Sequence, residues 1–282
     1  WNKISSINGG SSDSEPDLFF FSCNGISGKF VFDERKTPRL LTEGNYKINV
    51  NASGNNFESW IITDPSGVKY LFGEGTAIEK TKPNSIISGY SNNSNVPSSW
   101  YITKIIYPNN KDTIYFSYTG ENNYGYYDLG PESKTKWGYE EVCSAITERD
   151  LIKTNIEGLR LTTIQTRNFR IDFIADTARE DLIASLGQTT ISNGGVNTVA
   201  KRLDKIKIYN SLNQCIRQFH FGYGYFTSST ATGLVSSLLN YVGNTDTKRL
   251  KLNSLTEKSG DESIVKPSTQ FIYDESVSLP RR

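Results

Sequence analysis

The chain has one histidine, His220, between Phe219 and Phe221, so a Ser-His-Asp or Cys-His nucleophile would have to be built on it. In a strand its ring points away from both phenylalanines, toward solvent or a second sheet face, and a structural role is expected. The same count leaves no set of imidazoles for zinc. Carboxylates are plentiful, and a glycoside hydrolase needs only two, about 5 to 10 Å apart. Glu140, Glu141, Glu180 and Asp181 are the candidates, set against the plainer reading that adjacent acids in polar stretches are solvated. The stretch DSEPD (13–17) offers acids at alternate positions for calcium. It lacks the central glycine and closing glutamate of a calcium loop and reads as a solvated leader.

The glycine-rich pieces GEG (73–75) and GYG (222–224) follow strand-like runs with no helix behind them. Phosphate binding needs that helix terminus or an equivalent nest of amides, so both read as turns at strand ends. Cys23, Cys143 and Cys215 are odd in number and widely spaced, which favours small buried hydrophobes over disulfides or a metal. The exposed candidate is NNYGYYDLGPESKTKWGY (122–139), where Tyr124, Tyr126, Tyr127, Trp137 and Tyr139 could stack on sugar rings or dock a partner. The alternative is that this loop folds back and plugs the end of a sheet with the same rings. No metal or cofactor is expected.

These residues must be positioned by strands. Aromatics are 12% of the chain, with 16 Tyr and 14 Phe, a composition suited to pleated, half-buried surfaces. One phrase recurs: two aliphatic residues three apart, a polar turn, and a closing pair of large apolar residues at alternate positions. It runs Ile102, Ile105, Phe116, Tyr118; then Leu161, Ile164, Ile171, Phe173; then Leu203, Ile206, Phe219, Phe221; then Leu252, Leu255, Phe271, Tyr273. The strands keep their form while the interval between them varies, as in β-hairpins, where extra turn residues cost little closure entropy. GKFVFDERKTPRLL (28–41) and WIITDPSGVKYLFG (60–73) read as two more hairpins. Asp64-Pro-Ser-Gly67 could be a reactive peptide bond, but its proline and glycine suit a type I turn.

Helices are expected to be minor. DTAREDLIASL (176–186) suits a short helix or a loop, and YEEVCSAITERDLI (139–152) is a weaker candidate. The polar segments 119–157 and 182–200 read as loop excursions from the sheet. The net charge of +1, with scattered basic residues, argues against a nucleic-acid footprint, and no apolar run is long enough to span a membrane. The chain starts at Trp1 without a signal-peptide core, so it reads as a piece of something longer.

The phrases EPDLFFFSCNGISGKFVFD, IITDPSGVKYLFG, SSWYITKIIYPNNKDTIYFSY and KRLDKIKIYN…IRQFHFGYGYF resemble the amino-terminal region of Rhs/YD-repeat proteins, particularly Bacteroidetes-type surface or secreted members. The likeness covers about Glu15 to Tyr273 and is one of phrasing and order. It implies a bacterial protein, secreted or at the cell surface. Its architecture would be like the shells of this family and of the related insecticidal toxin-complex B components, where hairpin strips wind into a cocoon that can enclose a toxin. The Tyr-Asp pair itself occurs only at Tyr127-Asp128 and Tyr273-Asp274, and no catalytic residue is carried over.

The expectation is therefore an all-β chain: a polar leader over 1–14, then one array of antiparallel hairpins over 15–282. The array would form a large curved sheet or a two-sheet sandwich, with one or two short helices. Its leading function is a non-enzymatic scaffold or shell segment, partnered by other segments of the same polypeptide. A carbohydrate- or protein-binding module using the 122–139 aromatics is the second reading, and a glycoside hydrolase the third.

Overall fold

The computed structural model describes residues 17–53, 56–85, 95–108, 112–129, 133–136, 145–148, 151–184, 197–228 and 248–276. The strands begin with β1 (Phe19–Cys23), β2 (Ile26–Phe32), β3 (Pro38–Leu40), β4 (Lys47–Ser53), β5 (Asn56–Thr63) and β6 (Lys69–Phe72). Next come β7 (Ile78–Ser85), β8 (Val96–Trp100), β9 (Ile102–Ile106), β10 (Thr113–Leu129), β11 (Ser133–Lys136) and β12 (Ala145–Glu148). The last are β13 (Leu151–Gln165), β14 (Arg170–Ile174), β15 (Ile183–Ala184), β16 (Lys205–Tyr209), β17 (Cys215–Thr227), β18 (Lys248–Ser259) and β19 (Thr269–Gln270). The protein is all-β with antiparallel pairing, and among the described residues helical geometry is limited to 3₁₀ at Glu74–Thr76 and at Pro108. No helix among them is long and apolar enough to cross a membrane.

The chain divides into two compact units, residues Trp1–Thr76 with Ile102–Thr113, and Ala77–Tyr101 with Ile114–Arg282. In the first unit β1-β2-β3 form a small meander, and β4-β5-β6-β9 form an antiparallel ladder. Alternation along β1 and β2, with a bulge at Glu58 that brings Phe57 onto the Trp60 side of β5, turns Phe19, Phe30, Phe32, Phe57 and Trp60 toward one another. Trp60 lies 5.3 Å from Phe19, 5.4 Å from Phe30 and 5.1 Å from Phe57, centroid to centroid, while Phe32 stacks on Phe57 at 4.7 Å. Trp60 and Phe30 are buried, so this ring cluster forms the core between the two layers.

In the second unit the order is β10-β13-β14-β16-β17-β18-β19, each strand hydrogen-bonded to the next. Three recurring phrases are neighbours in this ladder. β13 and β14 pair Ile164 with Ile171, β16 and β17 pair Ile206 with Phe219, and β17 and β18 pair Phe221 with Leu255. The fourth phrase closes more weakly. Thr269 and Gln270 pair with β18, and Phe271 N–H still donates to the Asn253 carbonyl at 2.9 Å; beyond it Ile272 is exposed, while Tyr273 donates its hydroxyl to the Leu252 carbonyl and packs its ring on Phe226.

The 119–157 excursion takes a different form. Residues 119–129 and 151–157 carry β10 and β13 on as one long ladder, from Thr119 opposite Arg160 to Leu129 opposite Leu151. There β13 exchanges β14 for β7 as its second neighbour, and β15 joins β10 at Tyr124 and Gly125. The 182–200 excursion is described only over 182–184 and 197–200. Of the helix candidates, 176–182 is irregular and runs into β15, while 145–148 and 151–152 are strand. Pairing of β12 with β11 overrides the weak helical propensity of the second candidate. GYG (222–224) also differs from the strand-end turn expected: it lies inside β17, at a bulge between Gly222 and Tyr223. GEG is the 3₁₀ turn just named.

Three hairpin tips are built alike. At Asp33, Asp64 and Asn210 one side-chain oxygen accepts two backbone N–H groups, from Arg35 and Thr37, Ser66 and Val68, and Leu212 and Gln214. In each turn the fourth residue (Lys36, Gly67, Asn213) has positive φ and donates its N–H back to the first residue's carbonyl. A short acceptor side chain followed by a left-handed fourth position is one turn design used three times. Asp64-Pro-Ser-Gly67 is thus a turn, as expected.

Candidate functional site

The polar groups that come together lie on the outer half of the β10–β13 ladder. A bulge between Asn122 and Tyr124, with Asn123 at φ 66°, brings Glu121 and Tyr124 onto one face with Gly158 and Arg160. Glu121 is buried and accepts from Arg160 Nε at 2.7 Å and from the Lys201 backbone N–H at 3.2 Å. Glycine at 158 leaves room for the Tyr124 ring, whose hydroxyl would stand 2.7 Å from any added Cβ. From the neighbouring hairpin, Tyr101 donates to Glu79 Oε2 at 3.0 Å and packs its ring 5.4 Å from Tyr118. Burial, then the Glu79 and Glu121 charges, push the Tyr124 phenol up to about 12, and burial followed by Glu79 raises Tyr101 further. Both remain protonated at neutral pH, so neither is a base.

Beside this face the segment 176–182 is laced to 197–204. Asn197 is buried and saturated: it donates to the Arg179 and Ala200 carbonyls and accepts from the Val199 and Ala200 N–H groups. Asp204 accepts from the Asp176 and Thr177 N–H groups at 2.8 and 3.0 Å. Arg179 clamps Asp181 with two bonds of 3.1 and 2.8 Å, and Leu250 N–H adds a third at 3.3 Å. Burial pushes the Asp181 carboxyl upward, but Arg179 and the Leu250 N–H outweigh it and hold the group below the ordinary carboxylate range. That is the reverse of what a general acid needs. Glu180 is spent on an ion pair with Lys248. Lys153, 1% exposed on β13, has its pKa lowered by burial.

Of the aromatic candidates, the structure places Tyr124 and Tyr126, both half-buried, on β10, with Tyr124 inside the polar cluster. Tyr127 lies opposite Lys153 on the same strand. Trp137 and Tyr139 lie outside the described residues, as do Glu140, Glu141, Cys143 and most of the acidic leader. His220 Nε2 faces Gln218 Oε1 at 3.3 Å and Glu262 Oε1 at 3.8 Å. Burial, then Lys258 and Lys205, lower its pKa, so the ring is neutral at pH 7. Cys23 and Cys215 are free and partly exposed, and no group of three metal-ligating side chains forms among the described residues.

Glu121, Arg160, Arg179 and Asn197 were not singled out from the sequence. Glu121 and Arg160 are 39 positions apart, and Arg179 and Asn197, though they bond near neighbours, sit in irregular stretches with no periodic pattern to mark them. Asn197 is saturated, Asp181 holds three donors and Glu121 Oε1 holds two, bonds that tie β10 and β13 to the stretches 176–182 and 197–204. The close approach at Gly125 belongs to the same packing, since an added Cβ would stand 2.3 Å from the Thr154 carbonyl oxygen. Gly125→Ala is expected to cost about 2 kcal/mol or more, from backbone displacement in a packed ladder. Urea denaturation of the second unit checks this.

No family model matches the chain, no curated protein matches it, and no solved structure matches it.

Proposed function

We propose that the chain is a non-enzymatic scaffold, a shell segment of a larger surface or secreted polypeptide of the Rhs/YD-repeat kind. Its partners are other segments of that polypeptide. The observation that carries this reading is the state of the ladder's last edge. β19 is the outermost strand, joined to β18 at Thr269 and Gln270, and Val265, Phe271 and Ile272 along the same return segment are 56%, 39% and 93% exposed. A sheet edge followed by large exposed apolar side chains is a template for another strand. Repetition of one turn design supports the same reading, because a hairpin array extends by adding like units.

The encoding reading frame is expected to continue into further hairpins carrying Tyr-Asp pairs. In a chain extended through the next hairpin, amide exchange over 269–273 is expected to slow about tenfold or more as the edge becomes internal. Unchanged exchange, or a frame without further hairpins, overturns the proposal.

A further inference from the structure

We propose that β1 is a self-association edge: two copies of this chain pair antiparallel along Phe19–Cys23, about a two-fold axis at Phe20. Among the described residues β1 has one neighbour, β2, and its other side ends the small meander. The β1–β2 hairpin closes on two residues, Asn24 and Gly25, both at positive φ, so Cys23 and Ile26 exchange their backbone bonds. Alternation then gives the backbone bonds of Phe21 and Phe19 to β2 as well, and turns the N–H and C=O groups of Phe20 and Ser22 to the free side. The same phase holds in β2. Lys29, opposite Phe20, bonds away from β1: its carbonyl accepts the Leu41 N–H and its own N–H donates to the Thr42 hydroxyl.

Unpaired backbone groups along an apolar strand are a template for another strand, and other edges of this chain carry guards against it. β3 has Pro38 and Arg39, β4 has Lys47 and a bulge at Asn51 and Ala52, and β8 has Pro97. β1, with Leu18 before it, reads LFFFSC and has no charge, proline or glycine, the composition that pairs most readily. Its outer-face side chains are apolar too, with Leu18 45% and Phe20 64% exposed. The occupant that fits is the strand's own copy, because an uncharged edge meets its two-fold mate without repulsion. With the axis at Phe20, that residue faces the partner's Phe20, Phe19 faces the partner's Phe21, and Leu18 faces the partner's Ser22. The outward backbone groups then meet one another, and aromatic pairs form on both faces of the joined sheet.

This goes beyond the scaffold reading and does not depend on it, since that reading uses β19 and not β1. The test is sedimentation of the full chain across a range of micromolar concentrations, where the wild type is expected to pass from monomer to dimer. Phe20→Glu has Lys29 as its neighbour in its own sheet but sets two carboxylates face to face across the axis, and is expected to weaken dimerisation about tenfold or more. Phe20→Lys alone is expected to do the same. An equal mixture of the two variants is expected to recover the dimer, because opposite charges then meet, and Phe20→Tyr to retain it. A wild type that stays monomeric, or that dimerises only once residues 1–16 are removed, overturns the proposal. So does a dimer that Phe20→Glu leaves unweakened, or a mixture that stays monomeric. Thermal melts of each variant separate unfolding from lost pairing.

Discussion

Trp60→Ala is expected to destabilise the first unit by about 4 kcal/mol, the range for deleting a buried indole from a packed core. Trp60 is 5% exposed and touches rings from three strands, with Phe19 on β1, Phe30 and Phe32 on β2 and Phe57 on β5 all within 6 Å. These rings hold the small meander against the longer ladder, so the cavity opens at the junction of two layers and not within one. Trp60→Phe keeps an aromatic body and is expected to cost clearly less, about 1 to 2 kcal/mol. Amide exchange in β2 and β5 measures both. Equal exchange in the wild type and the alanine variant would show that the ring cluster does not hold the layers.

The second large effect is expected at Arg179. Asp181 is 2% exposed, so removing the guanidinium leaves a buried, uncompensated carboxylate, at a cost of about 3 to 5 kcal/mol at pH 7. Arg179→Met with Asp181→Leu is expected to be milder than Arg179→Met alone, because the buried charge goes with its partner. Acid behaviour separates the cases. In the wild type the Asp181 carboxyl is held below its unfolded value of about 3.9. Its stabilisation is therefore fully present above that pH and is lost as pH falls through the folded value. In Arg179→Met burial acts without the arginine, the carboxyl moves upward, and stability is expected to increase on acidification between about pH 7 and 4. Urea midpoints across that range read the sign directly.

Much of the framework was legible because it is local. Alternation around Phe219 and Phe221, the aliphatic pair at Ile206, and the Asp64 turn each depend on residues close in sequence. What was not legible depends on distant partners. Glu121 and Arg160 are 39 positions apart, and Asp181 receives Leu250 N–H from 69 positions away. The polar run after Tyr118 read as loop because Asn, Gly and Glu are poor strand formers. Yet with β7 and β15 on either side it is held as strand, the glycines admitting a tyrosine ring and a close carbonyl. GYG misled for the same reason. At Gly222 and Gly224 an added Cβ would meet Ser254 and Asn253 of β18, so these glycines serve close strand approach and not chain reversal.

The account rests on hairpins lying side by side in the second unit. Backbone NOE spectroscopy on the perdeuterated chain tests this most directly. Cross-strand contacts are expected to link Ile171 with Ile208, Ile206 with Phe219, and Phe221 with Leu255 in a single continuous ladder. Sequential or helical contacts alone in these segments, or pairings that skip between them, would contradict it.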